Sequence, residues 1–226
     1  EKTSGIMLNT PANPTGNVIK KRTLEEIADI AVEKEVYIFC DEAYEHIIYD
    51  KAKHVSVGSF NGMEDYVISL FSFSKSYAMC GYRVGYCVGP KDIIAAMSKA
   101  HTNTTIAAPT ISQMLAAKAL EMPRSYTQSM VSEYKRRRNL IVKRLNEIGL
   151  RTHKPDGAFY AFANISEFSK DSLKFSRELI AKAKVATVPG AEFGMHGEGF
   201  IRCSFATKYE LIEKAMNNLE KYLKKK

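Results

Sequence analysis

The sequence predicts an α/β protein built around a wound, mostly parallel β-sheet. Short apolar runs with strand character alternate with segments of helical periodicity through the first half of the 226-residue chain. Residues 36–40 form an unbroken apolar run, which is typical of a strand buried on both faces of a parallel sheet. Three of the runs end in polar residues, at the position where open α/β sheets bind ligands. Together these observations favour a wound sheet with a site at its carboxyl edge.

The first elements are a strand at residues 6–8, a Pro/Asn/Gly loop at residues 10–17, and a helix. Thr23 and Glu26 have the spacing of a capping box, so we expect Thr23 to be the N-cap. Four apolar side chains then recur on one helical face: Leu24, Ile27, Ile30 and Ala31. Residues 36–40, 67–71 and 84–88 supply the remaining strands of this sheet.

The second half of the chain predicts a linking helix and a small α+β domain. Residues 109–149 are helical in pattern, with a break at Met122-Pro123 and Gly149 as the C-cap. Two strands are predicted at residues 158–162 and 201–205, and two helices at residues 172–184 and 208–223. We therefore predict a large domain over residues 1–120, and the linking helix with a small domain over residues 121–226.

Composition excludes several classes of function. With 45% apolar and 26% charged residues the chain is ordinary for a globular protein, and no run is long enough to cross a bilayer. The net charge is +8, yet no basic stripe with interleaved aromatics is present, so we expect no nucleic-acid partner. We interpret the basic run Lys135-Arg136-Arg137-Arg138 as a solvated helix face.

The four cysteines indicate a reducing compartment. Cys40, Cys80, Cys87 and Cys203 form no C-x-x-C pair, and three of them lie in or beside apolar runs. We interpret them as buried, reduced thiols and expect no metal site. This usage favours a cytoplasmic protein.

Lys75 is the first candidate for chemistry. It follows the third strand in Ser72-Phe73-Ser74-Lys75, and Arg83 comes eight residues later. An amine at a strand end, beside hydroxyls and a second cation, suits Schiff-base formation with a carbonyl cofactor that carries a phosphate. The same position is also compatible with a solvated loop lysine.

Polar residues at the other strand ends strengthen this interpretation. Asp41 follows a strand, where a carboxylate can keep a heterocyclic nitrogen protonated or, alternatively, cap a helix. Tyr44 can donate a hydrogen bond to a phenolate oxygen. Because strand ends meet at one edge, we expect Asn13, Asp41, Ser72 and Lys75 to converge.

Five motifs in this order resemble those of the class I and II aminotransferases. These are pyridoxal phosphate enzymes of the aspartate aminotransferase fold, fold type I. The motifs are Pro11-Ala12-Asn13-Pro14-Thr15-Gly16, Asp41-Glu42-Ala43-Tyr44, Ser72-Phe73-Ser74-Lys75, Gly81-Tyr82-Arg83-Val84-Gly85 and Arg202. The resemblance covers essentially the whole chain, which opens at Glu1, and only the later two-thirds of a usual member. We therefore expect a C-terminal portion whose upstream phosphate loop and ring-stacking aromatic lie outside it.

The resemblance implies a role for each residue around the cofactor. Lys75 forms the Schiff base with the cofactor aldehyde and then moves the proton between the substrate Cα and the cofactor. Asp41 pairs with the protonated pyridine nitrogen. Asn13 and Tyr44 hydrogen-bond the 3-oxygen of the ring.

The resemblance also implies how the anionic groups are bound. Ser72 and Arg83 bind the cofactor phosphate, and Arg202 binds the substrate α-carboxylate through a bidentate fork, with Asn13 beside it. The implied reaction is ping-pong transfer of an amino group between an L-amino acid and a 2-oxo acid by a homodimer. Aspartate, alanine and aromatic donors all stay open, although the bulk of Tyr160 is expected to limit the pocket.

Three alternative functions stay open beside this interpretation. Ser72 and Lys75 also match the S-x-x-K of serine acyltransferases, but the S-D-N and K-T-G elements of those enzymes are missing from the sequence. A lyase of the same fold would use the same motifs for elimination. A non-catalytic aminotransferase-like module would use the fold for binding or dimerisation alone.

Overall fold

The computed structural model describes residues 2–225, which divide into two compact units. The first unit comprises Glu1–Pro11 and Val18–Gln128, and the second comprises Ala12–Asn17 and Ser129–Lys226. The division falls at residue 128 inside a long helix, rather than at the predicted residue 120, and the loop Ala12–Asn17 belongs to the second unit.

The first unit is organised by a four-stranded sheet. Its strands are β1 (Gly5–Asn9), β2 (Tyr37–Asp41), β3 (Val67–Ser72) and β4 (Gly85–Val88), in the order β1-β2-β3-β4. The first three strands are parallel and β4 runs antiparallel to β3. The predicted α/β class with a mixed, mostly parallel sheet is confirmed.

Helix α1 (Lys21–Glu33) covers one face of this sheet. Its buried residues Leu24, Ala28 and Ala31 form a core with strand residues such as Ile38. The predicted N-cap at Thr23 is wrong, because the helix starts earlier, after the extended residue Lys20. The early start gives the first turn two i,i+4 ion pairs: Lys21 with Glu25 and Arg22 with Glu26.

The prediction that β2 is buried on both faces is also wrong. Ile38 and Cys40 are buried in the core beneath α1, whereas Tyr37 is 37% exposed and Phe39 is only partly buried. Met7 on the neighbouring strand is 70% exposed. Within the first unit one face of the strand is therefore packed in the core, whereas the other is covered only in part.

Four more helices follow β3 along the chain: α2 (Phe73–Ser76), α3 (Lys91–Thr105), α4 (Thr110–Glu121) and α5 (Ser125–Glu147). Helix α3 was not predicted from the sequence. The predicted break at Pro123 separates α4 from α5, and Gly149, at φ +89°, follows the end of α5 as a C-cap glycine does.

The second unit contains a three-stranded antiparallel sheet. Its strands are β5 (Tyr160–Asn164), β6 (Val188–Pro189) and β7 (Phe200–Ser204), in the order β5-β7-β6. Helix α6 (Ser172–Glu178) continues into a π-helical turn at Leu179–Ala183, and α7 (Tyr209–Leu223) follows β7. The two-residue strand β6 carried no detectable sequence signal.

The basic run on α5 is a solvated face only in part, because Lys135 and Arg136 are exposed whereas Arg138 is buried. Arg138 has no solvent exposure, and its Nη1 donates a hydrogen bond to the Pro155 carbonyl at 3.1 Å. Arg136 stacks 4.0 Å from the centroid of the Tyr209 ring. Arg137 pairs with Glu133 at 2.8 Å. The contacts of Arg138 with Pro155 and of Arg136 with Tyr209 are distant in sequence, so a pattern of charges along one helix does not predict them.

The cysteine prediction holds for two of the four thiols. Cys40 and Cys203 are buried, but Cys87 is half-buried and Cys80 is exposed because it lies in the 3₁₀ turn before β4. All four are free thiols. Between residues 2 and 225, no His, Cys, Asp and Glu side chains cluster closely enough to hold a metal ion. In the same range no helix has the length and apolar character of a membrane span.

Candidate active site

The carboxyl end of β2 presents two of the predicted residues. Asp41 is the last residue of the strand, and its Oδ1 accepts a hydrogen bond from the Ala43 amide at 3.1 Å. Turns rather than a helix follow, so the alternative role of Asp41 as a helix N-cap is excluded. Asp41 forms no ion pair with any described residue. Tyr44 is 4% exposed and lies three residues further on.

The end of β3 places the candidate lysine. Ser72 ends the strand and caps the single turn of α2, where its hydroxyl accepts from the Ser74 amide at 3.2 Å. Because α2 is only one turn long, Lys75 stays close to the strand end. Its Nζ lies 6.0 Å from the centroid of the Tyr44 ring. The two neighbouring strand ends thus bring an amine and a phenol together.

Arg83 enters β4 from a left-handed residue conformation. Its φ is +52°, and its Nη1 donates to the Cys80 carbonyl at 3.0 Å. Gly85 pairs with Ser72 across the antiparallel ladder, which brings the Arg83 loop to the same end of β3. A Cβ at Gly85 would lie 2.6 Å from the Phe71 carbonyl oxygen, so this close approach of strands requires glycine. Arg83 is exposed to solvent.

The second unit holds the other candidate cation. Arg202 lies on β7 and donates from Nη1 to the Asn13 side-chain oxygen at 2.7 Å. Its guanidinium lies close to two aromatic rings, 4.4 Å from the Tyr160 centroid and 4.9 Å from that of Phe193. The Arg202 Nε is buried and has no hydrogen-bond partner among the described residues. A bound carboxylate oxygen would satisfy such a donor.

The predicted residues therefore fall into two groups, one in each unit. The strand ends of the first unit bring together Asp41, Tyr44, Ser72, Lys75 and Arg83. The loop and β7 of the second unit bring together Asn13 and Arg202. The predicted convergence of Asn13 with the first group stays a prediction.

A buried polar network next to Asp41 was not predicted from the sequence. Glu42 is 1% exposed and accepts hydrogen bonds from the Ser56 hydroxyl at 2.7 Å and from Nε2 of His54 at 2.7 Å. His54 Nδ1 is buried without a partner among the described residues. The one available signal was a second acid directly after a buried strand, because a buried carboxylate needs partners from elsewhere.

Three side chains near this network have shifted pKa values, chiefly because they are buried. Burial, reinforced by the charge of Glu42, raises the pKa of Glu45 to about 7. Burial also lowers the pKa of His46, and electrostatic interactions with Arg124 and His54 add to that shift. The pKa of the Cys40 thiol is raised far above its ordinary value, chiefly by burial. Cys40 is therefore a packed thiol rather than a nucleophile.

Comparison with known proteins gives consistent matches along the chain. The profile of the family described as aminotransferase class I and II matches residues 1–219. The chain is 48% identical to the aspartate aminotransferase of Pyrococcus abyssi, with 100% of the chain aligned to 59% of that protein. It is 46% identical to aromatic-amino-acid aminotransferase 2 of Thermococcus litoralis, with 100% of the chain aligned to 58% of that protein.

A solved structure agrees with these matches. The crystal structure of an aromatic aminotransferase from Pyrococcus horikoshii matches 99% of the chain at a TM-score of 0.95 and 46% identity, and the chain covers 61% of it. The chain thus spans 58–61% of these relatives. These shares of length do not confirm the expectation that it is specifically their C-terminal portion.

Proposed function

This chain belongs to the class I and II aminotransferase family, and from that membership we propose that it is part of an enzyme that transfers an amino group between an L-amino acid and a 2-oxo acid. The family depends on pyridoxal phosphate and has fold type I. The observation that carries the proposal is the grouping of Lys75 with Tyr44 and Asp41 at adjacent strand ends of the first unit.

The chemistry of these strand ends fits the cofactor. Asp41, a carboxylate without an ion pair among the described residues, is suited to hold the pyridine nitrogen in its protonated form. The Tyr44 hydroxyl is suited to donate to the ring 3-oxygen. Arg83 has no acidic partner in the described range, so its guanidinium fork is suited to the phosphate, together with the Ser72 hydroxyl.

The bound cofactor supplies an electron sink for the negative charge that develops at the substrate Cα. Lys75 would hold the cofactor through Nζ, and once substrate occupies the site its amine would serve as the base that moves the proton at the substrate Cα. A positioned base of this kind contributes on the order of 10²- to 10⁴-fold to the rate. Asp41 would support this proton transfer by keeping the pyridine nitrogen protonated.

Substrate binding is assigned to Arg202. Its planar fork suits the α-carboxylate that amino acids and 2-oxo acids share, and its buried Nε has no partner among the described residues. Asn13 orients the guanidinium through its side-chain oxygen, and its amide nitrogen is assigned to the ring 3-oxygen. The relatives' names cover aspartate and aromatic amino acids, so both are candidate donors, with 2-oxoglutarate as the candidate acceptor.

The whole enzyme is proposed to be a cytoplasmic homodimer. The support is the relationship to the aminotransferase family, together with four free thiols. Sedimentation of the full-length protein is expected to give twice the mass of its chain. A monomeric, active protein would contradict this part of the proposal.

Borohydride trapping tests the central assignment. The protein is mixed with pyridoxal phosphate, reduced and digested, and the modified lysine is identified by mass spectrometry. We expect stoichiometric label on Lys75, no label in Lys75→Arg, and full label in the control Lys91→Arg, which changes an exposed lysine at the start of α3. Label scattered over many lysines, or retained in Lys75→Arg, would contradict the assignment.

Turnover separates amino transfer from elimination. A transferase consumes the amino acid only while a 2-oxo acid is present to regenerate the cofactor. A lyase of the same fold proceeds without one. We expect strict dependence on the 2-oxo acid. Trapped cofactor on Lys75 without turnover of any amino acid would instead favour a non-catalytic module.

A further inference from the structure

Arg138 is a buried cation whose side chain ends on a loop rather than in solvent. It has no solvent exposure, and Nη1 donates to the Pro155 carbonyl at 3.1 Å. Nε and Nη2 both donate to the Asn139 side-chain oxygen, at 3.2 and 2.9 Å. Burying a guanidinium is unfavourable unless its donors are used, so a guanidinium in this setting fixes the groups that it contacts.

The loop that Arg138 holds is joined to the loop Ala12–Asn17. The backbone amides of Asp156 and Gly157 donate to the Gly16 carbonyl at 3.0 and 2.8 Å. Gly16 has φ +70°, and a Cβ there would overlap Pro155 and lie 2.8 Å from the Gly157 oxygen. The two loops are therefore in direct backbone contact, and a displacement of one must move the other.

Two routes lead from this loop to Arg202, and both lie within the second unit. The first passes through Gly16, whose amide donates to the Ala12 carbonyl at 2.8 Å and closes the turn that carries Asn13. Asn13 then accepts from Arg202 at 2.7 Å. The second follows the chain from residue 157 into β5, where Tyr160 stacks on the Arg202 guanidinium at 4.4 Å.

We propose that Arg138 is a positioning residue for the substrate carboxylate. Through the Pro155 carbonyl it fixes the loop that places Asn13 beside Arg202 and Tyr160 against its face. The inference rests on the proposed function, in which Arg202 binds the α-carboxylate. Arg138 acts only through these side chains and does not contact substrate.

The test measures carboxylate affinity in the full-length, cofactor-loaded protein. The probes are maleate and 3-phenylpropionate, which carry carboxylates but no amino or oxo group, and the readout is the change in cofactor absorbance. We expect Arg138→Lys to weaken the binding of these probes about tenfold, because it removes the forked donors. The control Arg144→Lys, on the same helix but paired with Glu220, should leave affinity unchanged.

A double-mutant cycle separates positioning from a general loss of stability. In an Arg202→Lys background the fork that Arg138 positions is already lost, so Arg138→Lys should cause little further weakening. Equal weakening in both backgrounds, or none in the wild type, would overturn the inference. Should Arg138→Lys fail to fold, Asn139→Ala removes an exposed acceptor of the same guanidinium and should weaken affinity in the same direction, also only while Arg202 is present.

The outcomes also separate this inference from the proposed function. If wild-type Lys75 takes no label, or if Arg202→Lys leaves carboxylate affinity unchanged, the proposed function fails. If both of those behave as expected and Arg138→Lys and Asn139→Ala have no effect, only the role of Arg138 fails.

Discussion

His54 and Glu42 form a contact of 2.7 Å in which neither side chain has more than 9% of its surface exposed. The contact fixes the residue that directly follows Asp41 at the end of β2. The two adjacent acids thus have different environments. Glu42 is satisfied internally by His54 and Ser56, whereas Asp41 makes no ion pair in the described part of the chain. The network holds the strand end, and it leaves the Asp41 carboxylate available for the role proposed above.

Removing the Glu42 carboxylate is expected to destabilise the first unit. In Glu42→Ala, His54 and Ser56 lose a shared acceptor inside the protein, which costs about 2 kcal/mol or more in the free energy of unfolding. Urea unfolding measures the change. The control Glu64→Ala, at an exposed position, should change it by less than about 0.5 kcal/mol. Equal effects of the two substitutions would show that the network contributes nothing to stability.

Glu45 is expected to make stability fall as pH rises. Its pKa in the folded protein, about 7, lies above the ordinary value of 4.5, so the folded state binds this proton more tightly than the unfolded state. The associated stability is fully present below pH 4.5 and is lost as pH rises through about 7. Glu45→Gln should therefore stabilise the protein at pH 8, by up to about 3 kcal/mol, and have little effect at pH 4.

Unfolding curves of wild type and Glu45→Gln at both pH values test this sign. Glu64→Gln, measured in parallel, gives the background effect of such a substitution at an exposed position. A stabilisation by Glu45→Gln that is larger at pH 4 than at pH 8 would contradict the assigned direction of the pKa shift.

Arg202→Lys is expected to raise KM for the amino acid and for the 2-oxo acid together, by about 10- to 100-fold. Lysine keeps the charge but loses the planar fork that lies close to Tyr160 and Phe193. Borohydride labelling of Lys75 should be unchanged, since Arg202 is assigned to substrate and not to cofactor. Arg151→Lys, at an exposed arginine of the same unit paired with Glu167, is the matched control. An unchanged KM in Arg202→Lys would remove Arg202 from the substrate site.

Gly16→Ala is expected to lower the free energy of unfolding by more than its backbone angle alone explains. Both Gly16 (φ +70°) and Gly62 (φ +78°) are in the left-handed region, but a Cβ at Gly62 would meet nothing within 4 Å. Gly62→Ala should therefore cost about 1 kcal/mol for the backbone angle alone. Gly16→Ala should cost about 1–3 kcal/mol more, because its methyl group overlaps Pro155. Equal losses would mean that the two loops separate easily.

Elements with a local signal were predictable from sequence. The four strands of the first sheet lie within one or two residues of their predicted bounds, because each is an apolar run between turn residues. Helix α3 was missed because none of its residues is buried, so it has no apolar stripe. The capping box at Thr23 was misread because ion pairs one turn earlier support a start at Lys21.

The residues of the candidate site likewise include some that the sequence predicted and others that it did not. Lys75 was a candidate from its position after a strand, whereas Arg202 became one only through the resemblance to the aminotransferase motifs. The partners of Glu42 could not be predicted, since His54 and Ser56 lie 12 and 14 residues away in an irregular segment. The role of Arg138 depends on the Pro155 carbonyl, 17 residues distant, and a backbone acceptor leaves no trace in side-chain pattern.

The left-handed backbone of Arg83 has a consequence for attempts to engineer heat resistance. Glycine adopts a φ of +52° without steric conflict, whereas an arginine backbone at this angle is strained in the folded protein. Selection for thermal stability alone would therefore favour glycine at this position. That substitution would remove the guanidinium proposed to bind the phosphate. Screens that score only melting temperature are expected to enrich such variants, so a thermostable descendant of this protein is best screened for cofactor retention as well.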